Sequence, residues 1–419
     1  MSEIDGLKRL RLQEEKKFIN NEFTEALAQQ LIDSLVGWAN KKIFAPRGGE
    51  LKFDMTMGPP NAGVFVSPSR PFHPRMEFRT SLVSDIYADA FAFPIVCRRL
   101  ATETDVLSNF NSMEMFLDCP VRFTDPLPPL HASNVSDLFR PICEAFVERI
   151  SEQKDERQPR PDEVRCRFIM FELMLVWTFF HELGHVVQGH HTLRARTASR
   201  IHDDAFWEME EDSVVQSDSA SQDTSKSLPS DLPAQARELL ADAEATDLTL
   251  KYLVEQRRLN FNVWYLLLCS TGCMFQRFYS NYPENLDLSP ARHPHPLIRD
   301  EASQVLSNHW VADFLVASKI IRSRQEAAMP IAYLNVRASL MTGLFRAHRM
   351  EKREGPERLP SYMDLSFRDG GSARRTYLKA LLPEIEWQLP LILKDHLIEL
   401  HSLEYWLQHV RDLVEPEAR

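Results

Sequence analysis

Residues 168–191 read FIMFELMLVWTFF and then HELGHVVQGHH. The first thirteen are apolar apart from Glu172 and Thr178, and the next eleven hold four of the chain's 14 histidines. An α-helix turns once every 3.6 residues, so His181 and His185 project from one face a turn apart, as two imidazoles must to share one tetrahedral ion. Glu182 follows directly, where a carboxylate can take a proton from ion-bound water and later deliver it to a leaving amine. The apolar lead-in buries such a helix, and Gly189 is placed to end it. Gly184 costs roughly 1 kcal/mol relative to alanine inside a helix, but its missing side chain lets another backbone approach. The competing reading is a core helix whose histidines are satisfied internally.

A hydrolytic zinc site needs a third protein ligand, and spacing leaves two routes open. The near one uses His190 or His191. His191 lies ten residues after His181, as in the metzincin pattern HExxHxxGxxH, but the glycine comes one residue late and leaves one residue to reverse the chain. The distant one is ELLADAEATDL, residues 238–248. Glu238 and Asp242 are four apart on a predicted helix, which lets Glu238 reach the ion while Asp242 accepts the free ring N–H of a ligating histidine. Ala241 and Ala245 allow this helix to pack closely on the HELGH helix. Glu244 is a further carboxylate on the same segment.

Working outward, 419 residues with 44% hydrophobic and 26% charged residues suffice for one large core or two ordinary ones. Only 13 glycines are present, and neither GxGxxG nor GxxxxGK[ST] occurs. The formal charge of −11 repels phosphate backbones and anionic lipid, so no nucleic-acid partner is expected. The six cysteines, Cys97, Cys119, Cys143, Cys166, Cys269 and Cys273, form no CxxC pair and read as reduced, buried thiols. The charged start MSEIDGLKRLRLQEEKK has no apolar run of signal-peptide length. Residues 168–180 and 261–278 are apolar but interrupted by polar residues, so no membrane span is expected and the cytoplasm is the expected location.

Residues 6–45 carry helical spacing that Pro46, Gly48 and Gly49 end. LKFDMTM (51–57), GVFVSP (63–68), RMEFRTSLV (75–83) and FAFPIVCRR (91–99) read as three or four short strands. Helical period then dominates over 136–153, 163–189, 234–258, 260–280, 297–320, 323–346 and 383–413. This predicts an α+β fold, a small N-terminal sheet followed by a mainly helical domain carrying the HExxH helix. The expected units are residues 1–135 (helix plus sheet), 136–350 (helical metallopeptidase core) and 351–419 (loop and C-terminal helix). Within the core, the acidic, serine-rich stretch 203–232 is too polar to offset the entropy of ordering and is expected to be a flexible loop. Residues 351–375 read as a second, locally basic loop.

The ordered blocks resemble the gluzincin zinc metallopeptidases. HELGHVVxxH, then ExxAD, then HP with an arginine six residues after the histidine, is similar to the HtpX-like and prenyl-protease branch. Here the blocks are His181, Glu182, His185 and His190; Glu238, Ala241 and Asp242; and His293, Pro294 and Arg299 in RHPHPLIRDEA. In an acidic chain expected to be soluble, HELGHVVQGH also resembles the Lit-type phage-exclusion peptidases. The resemblance spans roughly residues 165–305 and implies a zincin-like fold with His181, His185 and Glu238 as ligands of Zn2+. It further implies Glu182 as general base, Asp242 supporting a ligand histidine, and His293 with Arg299 holding substrate or the developing oxyanion.

The expected function is therefore hydrolysis of peptide bonds in a protein or peptide substrate, by zinc-activated water with Glu182 as base. Two alternatives stand beside it: a non-catalytic zinc-binding regulatory or interaction protein, and a narrow-specificity bacterial defence or effector peptidase. Oligomeric state is not legible.

Overall fold

Asn21–Ala39 forms helix α1, extended by a π-helical turn over Asn40–Phe44 and a 3-10 turn over Ala45–Arg47. Gly48 stops it in the left-handed region at φ +69°, a conformation glycine adopts without penalty. The computed structural model describes residues 21–67, 69–103, 123, 125–152, 159–197, 205–207, 231–277, 286, 288, 292–351, 371–398 and 402–415. The predicted helix over 6–20, most of 203–232, most of the basic stretch 351–375 and Cys119 lie outside them. The described residues are mostly helical with one small sheet, so the α+β expectation is borne out at that level.

Three strands come first, β1 (Lys52–Thr56), β2 (Ala62–Phe65) and β3 (Arg75–Arg79). A fourth, β4 (Ala205–Trp207), arrives from much later in the chain. Their order is β1-β3-β2-β4, with β1 parallel to β3 and the other pairs antiparallel. β4 takes three residues of the stretch 203–232 expected to be a loop. The triplet AFW is the apolar part of that stretch, and it pairs with the edge of β2 in the register Gly63↔Trp207 and Phe65↔Ala205.

FAFPIVCRR is also corrected, from strand to helix. It lies within α2 (Thr80–Glu103). Val83, Ile86, Ala90, Phe93 and Cys97 are all fully buried, at helical rather than alternating spacing. Residues Thr80–Ala101 are long and apolar enough to cross a membrane by length and composition, yet 56% of that stretch is buried inside the molecule, where α2 packs on α1 and on the helix Pro161–Val187.

The later helices are α3 (Arg140–Glu152), α4 (Pro161–Val187), α5 (His190–Thr197), α6 (Leu232–Glu255), α7 (Phe261–Gln276), α8 (Pro296–Ala317), α9 (Arg324–Glu351), α10 (Ser372–Asp395) and α11 (Ser402–Val414). The single helix expected over 383–413 is two, broken at His396. α4 is the centre of the fold and packs on α1, α2, α3, α6, α7 and β2. One apolar core runs from Leu27 to Phe345 and crosses the boundary expected between residues 135 and 136. A second core joins α6, α8, α10 and α11. The five described cysteines are buried free thiols, and burial pushes Cys143 up to about 12.

Glu172, which breaks the apolar run of α4, is fully buried and paired. Arg258 holds it through two hydrogen bonds of 2.5 and 2.9 Å, Tyr252 donates at 2.8 Å, and the Arg258 Nε donates to the Asn134 carbonyl at 3.0 Å. Removing one partner of such a pair strands a charge in the interior. Arg258→Ala is expected to cost about 3–5 kcal/mol of unfolding free energy, read from urea denaturation, whereas a loss under about 1 kcal/mol would mean that the pair is solvated.

Candidate metal centre

α4 starts at Pro161, after Arg160, whose backbone N–H donates to Glu163 at 2.8 Å. It ends at Gln188, and Gly189 at φ +65° turns the chain into α5. From Val164 to Val187 all but Arg165 are buried, so His181, Glu182 and His185 lie inside the molecule. α6 brings the carboxylates. Asp231 caps it by accepting from the Ala234 N–H, and Pro233 occupies its first turn. The two helices approach at Gly184, where a Cβ would lie 3.3 Å from the Ala241 carbonyl oxygen and 3.3 Å from the Glu244 Cβ. The close approach expected of Gly184 and Ala241 is thus a packing contact.

That contact brings together three donors. The Nε2 atoms of His181 and His185 are 3.2 Å apart, Glu238 Oε2 is 3.3 Å from His181 Nε2, and Glu238 Oε1 is 3.6 Å from His185 Nε2. Among the described residues this is the group that could hold a metal ion. Donors about 2.0–2.1 Å from a tetrahedral ion stand about 3.3–3.4 Å from one another, so the observed separations match the edges of such a cage.

Each ring is oriented from behind. Asp242 Oδ1 lies 2.9 Å from His181 Nδ1, so a proton on Nδ1 would face a carboxylate and leave the Nε2 lone pair turned toward Glu238. Arg299 fixes Asp242 with two hydrogen bonds of 2.8 Å, and Trp177, one turn before His181, stacks on its ring with centroids 5.4 Å apart. His185 Nδ1 meets His190 Nδ1 at 2.7 Å. Burial, His185 and Arg237 together hold His190 well below the usual imidazole range, which suits a neutral ring accepting the His185 proton.

Glu182 is fully buried beside His181. Burial pushes the Glu238 carboxyl up, but the neighbouring His293 and His185 outweigh it and hold the group well below the usual carboxylate range. His293 Nδ1 is 3.2 Å from Glu238 Oε2, and the side chains of these two are 12% and 11% exposed, against 0% for His181 and 2% for His185. Among these residues the cage therefore meets solvent on the Glu238–His293 side.

Spacing alone left His190, His191 and Glu244 as possible ligands. His190 backs His185 instead, and His191 is outside the donor group. Glu244 faces Gln188 and His396, at 3.1 and 3.0 Å. The block around His293 builds the entry to α8, where His295 caps the helix by accepting from Leu297 N–H, so that Arg299 falls in the first turn beside Asp242. Trp177 was legible as the residue four before His181. His396 and Tyr377, which bridges His295 and Gln235 at 3.1 and 2.7 Å, had no sequence signal, because each acts across more than eighty residues.

Beyond Arg299, burial pushes Asp300 up to about 7 and Glu301 to about 7, Arg374 partly opposing the second. A carboxyl that binds its proton more tightly when folded lowers stability as pH rises from its unfolded to its folded value, here from about 4 to about 7. Asp300→Asn should flatten that decline. Melting temperatures measured from about pH 4 to about pH 8 should show the variant gaining on the parent with pH, and parallel curves would contradict the assignment.

Comparison with protein-family models, with curated proteins and with solved structures finds no match, so the reading of this centre rests on its geometry and chemistry.

Proposed function

We propose that the chain is a zinc-dependent metalloendopeptidase of gluzincin type with a zincin-like fold. The observation that carries this reading is the convergence of two Nε2 atoms and one carboxylate at tetrahedral spacing, with Glu182 beside them. Two imidazoles and one carboxylate suit zinc, whereas calcium and magnesium favour all-oxygen sets.

When bound, zinc lowers the pKa of water to about 7 and polarises a scissile carbonyl. His181, His185 and Glu238 would hold it. Asp242 and Arg299 keep His181 in the tautomer that presents Nε2. Glu182 accepts the proton of the attacking water and returns it to the leaving amine. His293, on the exposed side of the cage, is placed to donate to the substrate carbonyl oxygen as it becomes an oxyanion. Arg299 is a positioning residue in this scheme, since its guanidinium is engaged by Asp242 and stays buried.

A regulatory protein that merely stores zinc would need a fourth protein ligand. His190, the nearest by sequence, is engaged with His185 Nδ1 instead, which favours an open position.

Glu182→Gln is expected to retain about one zinc per chain while hydrolysis of a fluorogenic peptide library falls by about 10²–10⁴-fold. His185→Ala is expected to lose both metal and hydrolysis. Full activity in purified Glu182→Gln would overturn the mechanism, and a metal-free parent protein under non-chelating conditions would overturn the metal assignment.

A further inference from the structure

Glu244 is a fully buried carboxylate that takes no part in the donor group, on the same helix as Glu238 and facing the end of α4. Its Oε2 accepts from Gln188 Nε2 at 3.1 Å, and the same amide donates to the Leu240 carbonyl at 2.8 Å. The third participant comes from the break between α10 and α11. His396 Nε2 lies 3.0 Å from Glu244 Oε2. Its Nδ1 faces the backbone of Ile398, whose N–H donates to it at 3.1 Å and whose carbonyl oxygen also contacts it. With Nδ1 accepting from the Ile398 N–H, the ring proton lies on Nε2, which donates to Glu244.

The neighbouring residue completes the attachment. Leu397 N–H donates to the Val187 carbonyl at 3.0 Å, satisfying one of the acceptors left open at the end of α4. Arg47 in turn donates to the Leu397 carbonyl at 2.8 Å. Leu397 and Ile398 pack on the first core, although the helices on either side belong to the second.

We propose that residues 396–398 form a clamp in which His396 and Glu244 are positioning residues for the metal centre, holding α4 and α6 in the alignment that lets Glu238 meet both histidines. The reason is geometric. Gly184 and Gln188 lie three residues beyond His181 and His185 respectively, so a rotation or slide of α4 on α6 at the clamp moves the Nε2 pair away from Glu238. The clamp acts on the resting protein, before any substrate binds. It rests on the metal assignment made above, and its test separates the two.

Co2+ serves as the probe, through its d–d absorption and its affinity by competition with a chromogenic chelator. His396→Ala is expected to weaken Co2+ binding by about 10–100-fold and to change the band shape while far-ultraviolet dichroism stays unchanged. His396→Gln, whose amide can donate to Glu244, should recover most of the affinity. Glu244→Ala should weaken binding, and adding His396→Ala to it should cost little more, because both remove one interaction. Parent-like affinity and spectrum in His396→Ala would overturn the clamp. Should that variant fail to fold, parent-like affinity in Glu244→Ala would overturn it equally. A parent protein that binds no Co2+ would instead overturn the metal assignment.

Discussion

Everything at the centre depends on how closely α4 can lie against α6. A residue with a side chain at position 184 would meet the Ala241 carbonyl and Glu244 at 3.3 Å, tighter than ordinary contact, so these neighbours would have to give by a few tenths of an ångström. Any such movement of α6 carries Glu238 with it, and Glu238 stands 3.3 and 3.6 Å from the two rings. The helix-propensity cost of Gly184 is small beside what the approach makes possible. A local weakness in α4 is thus exchanged for a geometric condition that no polar contact alone could impose.

Around that approach lies a set of groups that would be unstable singly. His181, Glu182, Asp242 and Arg299 are all buried, and each is tolerable because another group meets it. The chain Arg299–Asp242–His181 runs from a fixed cation through a carboxylate to a ring nitrogen. On the other ring, a neutral imidazole takes the carboxylate's place. The two histidines of the donor group therefore differ in what stands behind them, a carboxylate behind His181 and an imidazole behind His185.

Local signals in the sequence were easy to read. The i, i+4 spacing of His181 and His185, the apolar lead-in and Gly189 concern neighbours on one helix, and the structure has them as the periodicity implies. Glu238 and Asp242 were legible as the distant route to the histidines, but spacing alone left His190 or His191 open beside them, because the choice depends on packing between helices. The errors have specific causes. FAFPIVCRR is rich in β-formers, yet its buried positions follow the period of α2, which the flanking TSLVSDIYADA completes. AFW at 205–207 was hidden by the acidic composition around it and gains its strand from β2. His396 was masked by the helical period of residues 383–413, which continues on both sides of the break.

The contact between Val187 and Leu397 joins the end of the histidine helix to a segment about two hundred residues later. During synthesis at about 5–20 residues per second, the first can wait about 10–40 s for the second. For that interval the nascent polypeptide carries its paired imidazoles without the partner that closes the helix end, so assembly of the centre waits on synthesis of the segment around Leu397.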